Sequence, residues 1–255
     1  MKNCFATTAA LVFGLALSSS AASAQQLYNM NFDQWSKQKG EWRMYEENAP
    51  AYHRVWGSAN KGTSILGINC TQPEKEHVAV PGEGKTAVRM RSQKVAWAFA
   101  AGNLYTGYFV KTINMSGAEI MMGTPFKGRP KALTGYLHYI PKPIDFVKSS
   151  TKAWKGKMDQ GAIDVVLADW DGPFRTNTEE GRFIDTKNDP AIIATGTLVL
   201  TKDTGGYIRF TLPLEYKNGR TPTIVMISAT SSRLESGLAG GEGSTLYLDE
   251  LSFVY

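Results

Sequence analysis

Trp170 stands between Asp169 and Asp171. An indole framed by two carboxylates suits a sugar, because the C–H face of a pyranose ring packs on the aromatic surface while the acids accept its hydroxyl protons. Just upstream, Ile163, Val165 and Leu167 alternate with Asp164, Ala168 and Trp170. This period of two places Trp170 on the parity opposite the apolar side, as an exposed platform or as a strand-end packing residue. Trp56 and Asn60 form a second pair around Gly57, an aromatic and an amide in a stretch that reads as a loop; a tryptophan packed into a glycine-rich corner has the same pattern. Asn103, after Gly102, is an amide for a ligand or a turn residue that tolerates a left-handed backbone. Arg129, before Pro130, can hydrogen-bond a ligand or brace a loop, and Tyr136 shares a strand face with His138 while Tyr139 points the other way.

Hydrolytic chemistry is less well supplied. Cleavage of a glycosidic bond uses two carboxylates roughly 5 to 9.5 Å apart, and Asp164, Asp169, Asp171, Glu179 and Glu180 are close enough in sequence to offer a pair. The histidines are His53, His77 and His138, and no Gly-x-Ser-x-Gly elbow accompanies them. Phosphate loops and dinucleotide fingerprints are absent from the sequence. Of the two cysteines, Cys4 precedes an apolar run and Cys70 is the only one after it, which leaves no intramolecular disulfide and no thiolate zinc cluster in the mature chain.

The elements that must hold these residues follow from the patterning. Lys2, an apolar run over residues 9–17, three serines and Ala22-Ser23-Ala24 make the charge, core and cleavage site of a secretory signal over residues 1–24. The run is too short for a comfortable membrane span. The mature chain then begins at Gln25, and with no low-complexity linker or internal repeat, residues 25–255 read as one domain. Basic residues outnumber acidic ones, 28 to 23, but they are scattered singly, which argues against a nucleic-acid partner.

Alternation over Ile208, Phe210, Leu212, Leu214 and Tyr216 predicts one strand, and the near-continuous apolar run at 223–229 predicts a central strand covered on both faces. Leu246 and Leu248 set one parity in the last strand while Leu251, Phe253 and Tyr255 set the other. A one-residue slip of that kind predicts a β-bulge at Asp249-Glu250. Turn formers such as Lys202 to Gly206 and Lys217 to Arg220 separate the runs, and one short helix is expected near Asp145 to Trp154. The class is all-β, a two-sheet antiparallel β-sandwich.

Asn31-Phe32-Asp33-Gln34-Trp35, Trp56-Gly57-Ser58-Ala59-Asn60-Lys61-Gly62 and Ala100-Ala101-Gly102-Asn103-Leu104-Tyr105-Thr106-Gly107 resemble the putative carbohydrate metabolism domain of gut Bacteroidetes. The resemblance continues through Phe126-Lys127-Gly128-Arg129-Pro130, Gly135-Tyr136-Leu137-His138-Tyr139 and Ser231-Ser232, and ends at Gly243 to Leu251, so it covers almost all of the mature chain. It implies a sandwich of jelly-roll type, similar to carbohydrate-binding modules and associated in some members with glycoside hydrolysis. Jelly-roll carbohydrate modules often hold a structural calcium between the first and last strands, which by resemblance points to Asp33 and Asp249 as oxygen donors. Some members carry a lipoprotein signal or an extra N-terminal immunoglobulin-like domain, and neither is seen in this sequence.

The expectation is therefore an exported protein, periplasmic or extracellular, with no integral membrane segment after signal removal, that binds an oligo- or polysaccharide in glycan utilisation. A glycoside hydrolase on the same sandwich and a non-catalytic interaction subunit of the cell envelope are the alternatives.

Overall fold

A computed structural model describes residues 24–80, 84–95, 98–114, 117–234 and 239–255. The predicted signal falls, but for Ala24, outside the described residues. Among those described, strands dominate, and two antiparallel sheets of nine and five strands carry the molecule.

The larger sheet runs, edge to edge, Phe174–Asn177, Gly117–Met122, Asn103–Ile113, Ile224–Thr230, Gly161–Ala168, Ile192–Leu200 and Glu215–Tyr216, with Trp56–Gly57 and Thr124–Pro125 added along its length. The smaller runs Ile208–Pro213, Ala132–Ile140, Thr245–Val254, Ala87–Arg91 and Thr71–Glu74. Their facing sides form one apolar core: Ile163, Val165, Leu167, Val225 and Ile227 from the larger sheet meet Val88, Met90, Leu133, Leu137, Leu246 and Leu248 from the smaller. Alternate residues of each strand thus leave water together, which is what fixes the register. This is the predicted jelly-roll sandwich.

The predicted central strand is Ile224–Thr230, paired on one side with Gly161–Ala168 and on the other with Asn103–Ile113. Val225, Ile227 and Ala229 enter the main core, whereas Met226 joins Val166, Ala168 and Ile192 in a second cluster on the outer face. The predicted bulge is also present. Thr134 lies opposite Ser252 and Tyr136 opposite Asp249, so one residue on the inner strand faces two on the last, and Glu250 adopts φ 47°. That extra residue lets Leu246, Leu248, Leu251 and Phe253 all reach the core despite their change of parity.

One predicted strand is divided. Ile208–Pro213 is an edge of the smaller sheet, but Glu215–Tyr216 pairs with Ile192–Leu200 in the larger one. Leu214 crosses between them, its amide held by Lys131 O at 2.8 Å. Alternation continues through the crossing because both segments face the same core. The expected short helix is a 3₁₀ helix, Ser149–Trp154. A further helical turn, Asn60–Thr63 followed by a 3₁₀ turn at Ser64–Leu66, crosses the outer face of the larger sheet. Cys70 is buried, and burial pushes its thiol up to about 12, so it is held as an unreactive thiol.

Candidate functional site

Polar side chains converge on the outer face of the larger sheet. Register puts Thr197, Asp164, Ser228 and Tyr105 in one row across four neighbouring strands. This row crosses a groove of two adjoining cavities, about 550 and 280 Å³, which share Met122, Asp164 and Ser228 as lining. The larger is bounded by the Asn60–Thr63 turn and Leu66 on one side and by Thr178 on the other, with Phe109 and Ile120 between. Phe183, Ile184 and Thr186 close the smaller. Apolar walls with a few convergent polar groups are the usual make-up of a small-ligand site.

Asp164 lies at the centre. Its strand neighbours Ile163 and Val165 are fully buried in the core, so period two turns its carboxylate outward into the groove. Thr197 Oγ1 donates to Asp164 Oδ1 at 2.7 Å. Burial pushes the carboxyl above the usual carboxylate range, while the Thr197 hydrogen bond and the charge of Arg233 oppose the shift. A half-buried acid with one protein donor among the described residues keeps lone pairs for ligand hydroxyls. Tyr105 extends the row beneath the helical turn, buried and donating to Ser58 O at 3.3 Å.

The sequence-predicted residues are dispersed around the sandwich. Trp56 is 2% exposed; its ring tilts against Phe32 and its Nε1 donates to Tyr28 O at 2.9 Å. Asn60 is fully buried, donating to Trp42 O and Thr71 O and accepting from Thr71 N. Their expected role as platform and amide is therefore corrected: the tryptophan is core and the amide ties three segments together. Trp170 lies past the end of its strand, half-buried against the Val166, Ala168, Ile192 and Met226 cluster, with Nε1 donating to Asp189 Oδ2 at 3.0 Å and its ring 5.0 Å from that of Phe174. Of the two alternatives for it, the strand-end packing residue is the one the structure shows.

Asp169 is ion-paired with Arg220, and Asp171 is exposed beside it. Arg129 stacks 4.3 Å over the Tyr216 ring and donates to Asn218 O and Arg220 O, so it braces the same loops. Tyr136 is on the outer face of the smaller sheet, opposite Arg209 and Asp249. Of the residues predicted to bind sugar, Asn103 is the one that lines the groove, and of the acids predicted to pair for hydrolysis, Asp164 does. Asn103 is a strand residue rather than a left-handed turn, and its Oδ1 accepts from Ala59 N at 2.9 Å, which anchors the helical turn at the groove wall.

Asp33 and Asp249 do approach each other, and burial foremost, with Asp33 nearby, holds the Asp249 carboxyl above its ordinary range. Their oxygens are taken by amides: Asp33 Oδ1 accepts from Lys85 N and Thr86 N, and Asp249 accepts from Ala79 N and Glu250 N. Calcium takes six to eight oxygens. Among the described residues no group of three His, Cys, Asp or Glu is arranged to hold a metal, so a calcium at this pair would need oxygen donors beyond its two carboxylates.

Sequence reasoning names Asp164 only as one of five acids that could pair for hydrolysis, not as the centre of a binding site. Its parity was legible, but its importance depends on Thr197 and Ser228, which lie 33 and 64 positions away in sequence and meet it only through strand pairing. No helix among the described residues is long and apolar enough to cross a membrane.

Comparison with solved structures gives the same architecture. A crystal structure of a putative glycoside hydrolase from Bacteroides thetaiotaomicron VPI-5482 superposes with a TM-score of 0.67 at 21% identity, covering 88% of this chain and 70% of that one. A putative glycoside hydrolase from Bacteroides vulgatus ATCC 8482 superposes with a TM-score of 0.65 at 19% identity, covering 88% of this chain and 96% of that one. At such identities the likeness is one of fold. No curated protein matches the sequence. The family model for the putative carbohydrate metabolism domain matches residues 31–254, and the chain belongs to that carbohydrate-related family.

Proposed function

We propose that this protein binds an oligo- or polysaccharide across the outer face of its nine-stranded sheet, with Asp164 accepting hydroxyl hydrogen bonds at the centre of the groove. The observation that carries this reading is the row Thr197, Asp164, Ser228 and Tyr105 on the floor of a groove with Phe109 and Phe183 among its walls. Alternating apolar walls and hydroxyl or carboxylate groups match the two kinds of surface a sugar presents. Family membership places the chain among carbohydrate-related proteins.

Hydrolysis is the second reading, favoured by the raised carboxyl of Asp164, since a general acid must hold its proton near neutral pH. Both glycosidase mechanisms need a partner carboxylate, and Asp164 is the one acid among the described residues lining the groove. Binding is thus better supported than cleavage. The secretory pattern at the N-terminus supports export to the periplasm or beyond, so N-terminal sequencing of the exported protein should begin at Gln25.

The test is a panel of plant, host and microbial glycans, with binding measured on residues 25–255 and products analysed after overnight incubation. Retention of at least one glycan without new reducing ends is expected. Cleavage products would transfer the function to hydrolysis, and no retention of any glycan would overturn the proposal.

A further inference from the structure

A second cavity of about 490 Å³ adjoins the groove, and Phe109 lines both. Its charge is unlike that of the groove. Arg43, Arg54 and Lys61 border it, with Glu41 as the one acid in its described lining. Glu41 is already paired with Arg43, which donates to Glu41 Oε2 through Nε at 3.0 Å and Nη2 at 2.7 Å. Arg54 and Lys61 are exposed, and neither forms an ion pair among the described residues.

Both are nonetheless positioned. Arg54 Nε donates to Ala49 O at 2.9 Å, and its guanidinium lies 5.7 Å from the Tyr45 ring centroid. The outer guanidinium nitrogens remain for a ligand, in the planar fork that matches a carboxylate or sulfate. Lys61 Nζ sits 3.4 Å from Phe109 O, at the ridge that the two cavities share. Two cations with no protein counter-charge, beside aromatic surface and next to a saccharide groove, form a subsite for a negative substituent on a sugar.

We infer that the cavity lined by Arg54 and Lys61 binds an anionic group of the glycan, the carboxylate of a uronic acid or a sulfate ester, while neighbouring sugars continue past Phe109 to Asp164. The inference rests on the groove reading and narrows it to acidic glycans. A carboxylate carried on the sugar that reaches Asp164 itself would meet like charge, so the two cavities sort the chain by charge and fix its direction. One anion held by two partly hydrated cations gives about a tenfold preference over the neutral sugar, and that preference falls as salt rises.

The experiment measures the affinity of the mature chain for three matched oligosaccharides: neutral, uronate-containing and sulfated. Titrations at about 50 and 500 mM salt span the change in Debye length that exposes an ionic contact. The same titrations are made with Arg54→Gln, Lys61→Gln and the double variant, each checked by thermal melting. At least one acidic ligand is expected to bind about tenfold more tightly than its neutral counterpart. That ratio should collapse toward one in the double variant and in high salt. Which acidic ligand shows it separates carboxylate from sulfate. Equal binding of charged and neutral ligands overturns the inference and leaves the groove reading standing. A preference that persists in the double variant removes Arg54 and Lys61 from the assignment. Should the double variant not fold, the Lys61→Gln protein and the salt series decide by the same criteria. Binding of none of the three overturns the inference and counts equally against the groove.

Discussion

Replacing Asp164 by asparagine separates ligand binding from folding. In the wild type the carboxylate pays a desolvation cost, which holds its pKa above the usual carboxylate range, and Thr197 is its one side-chain donor among the described residues. Asparagine keeps the shape and can still accept from Thr197 Oγ1, but it carries no charge to desolvate. Stability should therefore hold or rise by up to about 1 kcal/mol, a shift of roughly 2 to 4 °C for a domain of this size. Binding should move the other way. A hydroxyl donating to a charged oxygen contributes about 1.5 to 3 kcal/mol, and 1.4 kcal/mol is tenfold in Kd, so the variant should bind its glycan about 10- to 100-fold more weakly. Calorimetric titration beside a thermal melt reads both quantities. Unchanged affinity in a folded variant would refute the role of Asp164, and a large fall in Tm with affinity intact would make the residue structural.

Other expectations follow from packing and titration. Trp170→Ala should cost about 2 kcal/mol, because it strips a half-buried ring from the Met226 cluster and leaves Asp189 without its indole donor; a melt unchanged within about 1 °C would return Trp170 to the surface. Gly107→Ala should abolish soluble folded protein or lower Tm by more than about 10 °C, since φ is 121° and a Cβ would sit 2.0 Å from Met121 O; wild-type melting would contradict the strand geometry. Burial, and then His77 at 2.7 Å, hold His138 below its ordinary value of 6.5 against an opposing pull from Asp203, so the unfolded chain takes up this proton before the folded one does. This part of the stability is complete above about pH 6.5 and is lost as pH falls through the depressed value. His138→Gln should flatten the Tm profile between about pH 7 and 5, and an equally steep profile would assign the loss elsewhere. Calcium bridging Asp33 and Asp249 would make EDTA lower Tm in the wild type but not in Asp249→Ala; equal melts with and without chelator would remove the metal from this pair.

Local patterning carried the fold further than the site. The bulge at Asp249-Glu250 was legible because a slip in parity must be absorbed by an extra residue if Leu248 and Leu251 are both to reach one core. The Ile224–Thr230 strand was legible because apolar residues on both parities require cover on both faces. Sheet membership was not: Phe210 and Tyr216 share a parity across a crossover that alternation alone does not mark. The site was harder for the same reason. A tryptophan such as Trp56 has the same local signature whether it meets sugar or Phe32. Asp164 becomes a focus only when strands distant in sequence bring Thr197 and Ser228 to either side of it.

The most direct measurement is a crystal structure of residues 25–255 with the oligosaccharide they retain best. A pyranose hydroxyl within about 2.5 to 3.0 Å of an Asp164 oxygen, with the chain lying over Phe109, is the expected result. Sugar seated elsewhere, whether at the Trp170 end or over the His77, His138, Tyr207 and Tyr247 cluster on the opposite sheet, would contradict the assignment of the groove.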